Sequence, residues 1–294
     1  MNFKTNYNFW HAQTGSCRYA VIGDPVSHSR SPEMQNAAFS AAKLPDRYAR
    51  CRVERDRLAE FIEFARCELA GVNVTVPHKQ SVIPFLDEIT PTAQNCRSVN
   101  TLKIVNGKVC GHSTDGEGLR YALQENFNFT SAGKTLLFLG AGGAAWAGAF
   151  QLGAERPEKI NIANRTPEKA AELARSLTET LGIAASSLAL SDIEELKQAL
   201  SQSDVLIQTT SCGLKESDPE IVSRELLEYC PAHTAVFDLI YRETKLLQTS
   251  RQLGLAAADG KAMLIGQGAA SFFWWTGIKP DIQAMKTGFA RTED

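Results

Sequence analysis

The sequence predicts an α/β protein of two domains, each a mostly parallel sheet covered by helices. Three observations carry that prediction. Short apolar β-like runs alternate with helical stretches along most of the chain, the pattern that builds parallel sheets with crossover helices. A chain of 294 residues is long for one core and comfortable for two. Midway along it, the glycine turn Gly140-Ala141-Gly142-Gly143-Ala144-Ala145 separates an apolar run from a small-residue helix.

The elements follow in order. Residues 1–17 are polar and aromatic and read as a loosely ordered arm. Residues 18–23 form a short apolar strand ending in the turn Gly23-Asp24-Pro25. Ser31-Pro32 opens a helix through Ala42, with serine as N-cap and proline at N1, where its missing N–H costs nothing. Residues 48–53 read as a second strand, 56–69 as a helix and 71–76 as a third strand. Two β-like runs, 99–105 and 108–112, flank Asn106-Gly107, a dipeptide that favours a type I′ hairpin. A helix follows from Asp115-Gly116 to about Asn126, and 127–133 is a boundary loop.

In the second half, 135–139 reads as a strand, 144–152 as a helix, 159–163 as a strand and 167–181 as a helix, with further strands at 205–210, 235–240 and 255–258. That succession is Rossmann-like. The long apolar helix at 263–275 is expected to fold back on the first domain. The predicted division is an arm at 1–17, a first domain at 18–116, a Rossmann-like domain at 117–262 and C-terminal helices at 263–294.

Apolar residues at 44% and charged residues at 22% argue against disorder and a membrane-embedded class. A net charge of -2 gives no bulk attraction to nucleic acid or anionic lipid, so neither is an expected partner. The seven cysteines are irregularly spaced with no C-x-x-C, which suggests free thiols in a reducing compartment and no metal site. The first sixteen residues lack the apolar stretch of a signal peptide, and cytoplasmic residence is the expectation.

Gly140-x-Gly142-x-x-Ala145 lies between a strand and a helix, the context that makes this spacing a dinucleotide fingerprint. The first glycine makes the tight turn, the second lets backbone approach a pyrophosphate, and Ala145 lets helix and strand pack closely. A tight turn without ligand is the plainer alternative. The next strand ends in Asn164-Arg165-Thr166, with Lys169 one turn on, where an NAD site would carry Asp or Glu. A guanidinium fits a 2′-phosphate and Thr166 adds a hydroxyl, which argues for NADP; a solvated helix start is the alternative.

Two polar clusters precede the glycine turn. Asn73-Val74-Thr75-Val76-Pro77-His78-Lys79 and Ser113-Thr114-Asp115-Gly116 each place an ionisable residue, Lys79 or Asp115, at the end of an apolar β-like run. A lysine beside a carboxylate can shuttle a proton at a carbonyl or hydroxyl carbon, and a nicotinamide cofactor carries a hydride. Together they indicate alcohol–ketone redox chemistry.

These motifs also carry a family resemblance. Ile22 through Pro32, Asn73 through Lys79, Val99-Asn100-Thr101, Thr114-Asp115-Gly116, the glycine turn, Asn164-Arg165-Thr166 and the tail around Gln267 stand in the order seen in shikimate dehydrogenases. The chain resembles that family over about residues 19–280. The resemblance implies NADP-dependent, reversible reduction of 3-dehydroshikimate to shikimate. It implies that Ser29 and Ser31 hold the substrate carboxylate and that Thr75, Lys79, Asn100, Asp115 and Gln267 bind the ring hydroxyls. Lys79 and Asp115 match the family's catalytic pair. Tyr241 matches a tyrosine near the substrate, and Gly260 and Met263 match positions lining the nicotinamide pocket. Capping by Ser31 and core filling by Met263 are the plainer readings of those two residues.

The sequence departs from the family pattern at Gln35, usually histidine, at Arg97-Ser98, usually Gly-Ala, and at Ser113, usually asparagine. Gln208-Thr209-Thr210-Ser211 and the shortened, proline-free Tyr241-Arg242-Glu243-Thr244 depart as well. These changes bear on loop geometry and substrate preference and leave Lys79, Asp115 and both serines in place. Two alternatives follow: a quinate or dual-specificity dehydrogenase, against which two serines stand, and a ligand sensor without turnover, against which the Lys79–Asp115 pair stands. A monomer or homodimer is expected.

Overall fold

The computed structural model describes residues 7–215 and 217–290. Its chain divides into one unit made of Met1–Thr114 and Gln267–Asp294 and a second made of Asp115–Gly266. Among the described residues no helix is long and apolar enough to cross a membrane, and no group of three or more potential metal ligands occurs. None of the seven cysteines forms a disulfide among the described residues.

The first unit begins with α1 (Tyr7–Thr14), β1 (Tyr19–Gly23), α2 (Ser31–Ala41), β2 (Tyr48–Arg52), α3 (Leu58–Glu68) and β3 (Gly71–Val74). It continues through β4 (Glu88–Ile89), α4 (Pro91–Cys96), β5 (Thr101–Val105) and β6 (Lys108–His112). Its sheet has the order β2-β1-β3-β5-β6-β4. β1 pairs in parallel with β2 and β3, whereas β5 runs antiparallel to both β3 and β6. The hairpin between β5 and β6 turns at Asn106 and Gly107, with φ of 52° and 76°, the left-handed pair that a type I′ turn requires. β1 is buried along its whole length because helices cover both of its faces, which is why its sequence is uniformly apolar.

The arm is not loose where it is described. Residues 7–14 form α1, and Trp10 is wholly buried against Phe61 of α3, ring centroids 5.3 Å apart, with its indole N–H donating to Glu60. One aromatic side chain outweighs the polar composition around it, since burying an indole fixes the whole turn that carries it. Residues 1–6 of the predicted arm lie outside the described residues. Ser31 also differs from expectation: the N-cap of α2 is Arg30, without a side-chain cap, and Ser31 is already helical.

The second unit comprises α5 (Asp115–Phe127), β7 (Thr135–Leu139), α6 (Gly143–Gly153), β8 (Lys159–Asn164), α7 (Pro167–Leu181) and β9 (Ala185–Ala189). α8 (Ile193–Ser201), β10 (Val205–Gln208), α9 (Arg224–Leu227), β11 (Ala235–Asp238), α10 (Lys245–Gln252) and β12 (Ala256–Ala258) follow. Its sheet runs β12-β11-β10-β7-β8-β9, parallel throughout. Counted within the unit, that is 6-5-4-1-2-3, the doubly wound Rossmann order, and it reverses between β7 and β10. Every residue of β10 is fully buried. β9 and α8 escaped the sequence reading because Ala-Ser-Ser-Leu-Ala has neither an apolar run nor a clear alternation.

α11 (Lys261–Thr276) and α12 (Ile282–Ala290) close the chain. From Gln267 onward α11 belongs to the first unit. Phe272 sits against Phe39, centroids 5.0 Å apart, and the Trp275 indole donates to the Leu102 carbonyl at 2.8 Å.

Two outcomes follow. Trp10→Ala is expected to cost about 3–5 kcal/mol, because it empties an aromatic site in the core; urea denaturation monitored by circular dichroism measures it. His112, tilted at 34° against Trp274 and within 2.8 Å of the Thr90 hydroxyl, has its pKa pushed down by burial. The folded chain therefore holds fewer protons than the unfolded one below the ordinary imidazole value of about 6.5. Stability is lost as pH falls through that value, and His112→Asn is expected to shrink the drop in melting temperature between about pH 7.5 and 5.5.

Candidate active site

The register of the first sheet explains why distant polar motifs meet. Asn73 near the end of β3 pairs with Thr101 at the start of β5, and Thr101 pairs with His112 at the end of β6. Because β5 is antiparallel to both neighbours, residues 73–79, 99–101 and 112–114 all emerge at one edge. Gly23, at the end of parallel β1, reaches the same edge. A Cβ on Gly23 would lie 2.5 Å from the Thr75 methyl, so glycine is what lets the Thr75 segment lie across the end of β1. The Thr75 N–H donates to Ile22 O at 2.9 Å and the Asp24 N–H to Val76 O at 3.0 Å. Lys79 is half-buried, and its carbonyl accepts from the Val99 N–H at 2.8 Å, one residue before Asn100.

A buried polar cluster fills this edge. Asn73 Nδ2, with two protons to give, has three acceptors within reach: Asn100 O at 3.1 Å, Thr101 Oγ1 at 3.1 Å and Ser271 Oγ at 3.0 Å. Its Oδ1 accepts the Tyr48 hydroxyl at 2.7 Å. Burial pushes the Tyr48 phenol well above its ordinary pKa, an effect that a hydrogen bond from Ser31 partly offsets. Asn100 Oδ1 accepts the Thr114 N–H at 2.8 Å and the Thr101 hydroxyl at 2.9 Å, and its Nδ2 donates to Thr114 Oγ1 at 3.0 Å. These bonds fix which way the Asn100 amide points. Its oxygen is turned to protein donors and its nitrogen to the Thr114 hydroxyl.

The serine loop is clamped from the side. Arg50 Nε donates to Ser29 O at 2.8 Å, and its guanidinium pairs with Glu33 of α2. The Ser29 hydroxyl accepts the Ser31 N–H at 3.3 Å. Gln35, one turn after Ser31, is fully buried and donates to Gly268 O at 2.9 Å, next to Gln267. Its Oε1 and the Ser113 hydroxyl are buried without a protein partner, and both stand where the sequence departs from the family pattern.

In the second unit, Asp115 is buried and opens α5. Gly140 follows β7 with φ of 108°, and a Cβ there would meet Thr209 Oγ1 at 2.6 Å. Gly142 is different: it is the N-cap of α6, no side chain caps the helix, and a Cβ there would meet nothing within 4 Å. The unfilled N–H groups of α6 and that open space, at the point where strand order reverses, fit an anionic group such as a pyrophosphate. Ala141 and Ala145 are buried, while Gly143 and Ala144 are half-buried. Asn164 ends β8 and donates to Thr166 O at 2.8 Å, leaving Arg165, Thr166 and Lys169 exposed at the start of α7. Tyr241 is half exposed, and Met263 and Gly260 are buried. A Cβ on Gly260 would collide with Leu239 O at 2.0 Å. Burial pushes the Asp238 carboxyl up, although the Ile240 N–H and the Thr244 hydroxyl both donate to it.

Residues 21–102 match the family described as shikimate dehydrogenase substrate binding domain. Residues 122–239 match shikimate / quinate 5-dehydrogenase, and 262–287 match the shikimate 5'-dehydrogenase C-terminal domain. The chain belongs to the shikimate dehydrogenase family. A relative named shikimate dehydrogenase (NADP(+)) from Geobacillus kaustophilus is 40% identical over 272 residues, covering 91% of this chain and 95% of that one. The crystal structure of shikimate 5-dehydrogenase from Thermus thermophilus in complex with NADP(H) and shikimate is similar at TM-score 0.81 and 33% identity, over 94% of this chain and 99% of that one. Quinate dehydrogenase from Corynebacterium glutamicum in complex with NAD also has a TM-score of 0.81, at 27% identity, over 92% and 97% of the two chains.

The sequence motifs contain Thr101 and Thr114 without assigning them a role, and nothing in the sequence joined Tyr48 and Ser271 to this buried cluster. The available signal was polar side chains at positions where a strand or helix buries its neighbours, such as Asn73 inside Gly-Val-Asn-Val. Gly140→Ala is expected to destabilise the second unit by about 1–3 kcal/mol through strain and collision. Gly142→Ala is expected to cost less than about 1 kcal/mol. Thermal melts of the two variants check the contrast.

Proposed function

We propose that this chain catalyses the NADP-dependent, reversible reduction of 3-dehydroshikimate to shikimate. The observation that supports it most is the convergence of Ser29, Ser31, Thr75, Lys79 and Asn100 on one edge of the first sheet. In this reading the Ser29 and Ser31 hydroxyls donate to the substrate carboxylate, each giving one hydrogen bond to the anion without burying a full positive charge. The Asn100 amide donates to a ring hydroxyl, and Thr75 and Gln267 bind others. Tyr241 is assigned to the substrate as well.

The chemistry that NADPH supplies when bound is hydride delivery to the carbonyl carbon. Lys79 donates a proton to the carbonyl oxygen and takes it back in the oxidative direction, and Asp115 orients the ammonium and fixes its charge state. Gly140 through Ala145 hold the pyrophosphate at the start of α6, with Gly260 and Met263 against the nicotinamide. Asn164, Arg165, Thr166 and Lys169 surround the adenine ribose. The exposed Arg165 and Lys169 offer positive charge to a 2′-phosphate, which favours NADP over NAD.

Quinate is the less favoured substrate. The complex with shikimate and NADP(H) belongs to a relative 33% identical to this chain, the quinate dehydrogenase to one 27% identical. We place the activity in the cytoplasm, on a free small-molecule substrate, in a monomer or homodimer.

Steady-state kinetics with shikimate and quinate against both nicotinamide cofactors test the proposal. Turnover of shikimate with NADP is expected, and none with any pairing would refute it. Lys79→Ala is expected to lower kcat by about two orders of magnitude or more. Arg165→Ala is expected to raise KM for NADP by about tenfold or more while leaving KM for NAD nearly unchanged.

A further inference from the structure

Ser271 lies on α11 one turn after Gln267 and is fully buried. Four groups surround its hydroxyl: Gln267 O at 2.9 Å, Thr101 Oγ1 at 2.9 Å, Asn73 Nδ2 at 3.0 Å and Thr114 Oγ1 at 3.1 Å. The donors and acceptors can be assigned from chemistry. A carbonyl only accepts, so the Ser271 proton goes to Gln267 O. An amide nitrogen only donates, so Asn73 gives a proton to Ser271. The Thr101 hydroxyl donates to Asn100 Oδ1, and the Asn100 amide donates to Thr114. The Thr114 hydroxyl reaches both Asn100 Oδ1 at 3.2 Å and Ser271 Oγ at 3.1 Å and gives its proton to one of them, and no proton is left for the 2.9 Å approach of the Ser271 and Thr101 oxygens.

We propose that Ser271 is a positioning residue of the shikimate site. Its hydroxyl locks the turn of α11 that carries Gln267 to the strand end that carries Asn100. It also ties that turn to Thr114, the residue before Asp115. Removing it frees Gln267 and Asn100 to move relative to each other by the few tenths of an ångström that hydrogen-bond geometry tolerates poorly. The proposal rests on the shikimate reading above, since it assigns what Ser271 does for that substrate.

The helix stays docked without this hydroxyl. Gln35 holds Gly268 O at one end, and Lys103 Nζ and the Trp275 indole hold the other, through Trp274 O and Leu102 O at 2.8 Å each. Ser271→Ala, which removes one oxygen, is therefore a test of positioning and not of folding. Thr114→Val removes the neighbouring hydroxyl and keeps the shape.

The experiment measures steady-state kinetics with shikimate and NADP, together with thermal midpoints, for the full chain, each variant and the double variant. KM for shikimate is expected to rise about five- to tenfold in Ser271→Ala, the worth of one buried hydrogen bond. KM for NADP is expected to stay within about twofold, because the cluster belongs to the first unit. The double variant is expected to lose less than the product of the single losses, because both remove one link. A Ser271→Ala enzyme with shikimate KM and kcat within about twofold of wild type overturns the proposal. So does a variant whose two KM values rise together as its midpoint falls. A wild-type chain that turns over no shikimate overturns the substrate assignment and this proposal with it, whereas an active wild type with indifferent variants overturns the proposal alone.

Discussion

The demand that buried polar groups find partners governs the substrate-side edge of this protein. Asn73 sits inside a strand whose neighbours Val72 and Val74 are core residues. A lone asparagine there would cost more than one hydrogen bond is worth, because its amide would be desolvated and unanswered. It is answered instead by Tyr48, the Asn100 backbone, Thr101 and Ser271. Those partners come from β2, the approach to β5, and α11, so one polar side chain dictates how three separate stretches of sequence meet. The bonds of Thr101 and Thr114 to Asn100 set the direction of its amide.

The second unit is governed by a different constraint, the close approach of backbone at the point where strand order reverses. Gly140 and Gly142 are two residues apart and obey opposite rules. At Gly140 the protein itself occupies the space a side chain would need; at Gly142 that space is open. The first is a requirement of the turn, the second a vacancy matched to an anion at a helix start. Arg165 and Lys169, exposed beyond β8, extend the same positive field toward the place where a phosphate on the ribose would lie.

Much of this was legible in the sequence, for reasons that can be named. The Rossmann order follows from apolar strands buried on both faces, and the Asn106-Gly107 hairpin from a backbone conformation that few other dipeptides adopt. The motifs around Ser29, Lys79 and Asn100 stood out because polar residues cluster where strands end, and the register brings those strand ends to one edge. What the sequence hid was cooperative. Trp10 looked like part of a polar arm, since nothing local reveals which distant aromatic, here Phe61, will receive it. Ser31 looked like an N-cap, yet the helix starts one residue earlier and its hydroxyl is turned toward Tyr48. Ser271 looked like a small residue in an apolar helix; only the register of β3 against β5 brings Asn73 and Thr101 to it.

The proposed chemistry has Lys79 and Asp115 acting at one hydroxyl of a substrate whose carboxylate Ser29 and Ser31 hold. A crystal structure of this chain with shikimate and NADP bound tests that most directly. The result predicted is a carboxylate within hydrogen-bond distance of both serine hydroxyls, and the oxidisable hydroxyl within hydrogen-bond distance of the Lys79 ammonium and the Asp115 carboxylate. A shikimate bound in any other orientation, with that hydroxyl beyond reach of both side chains, would contradict it.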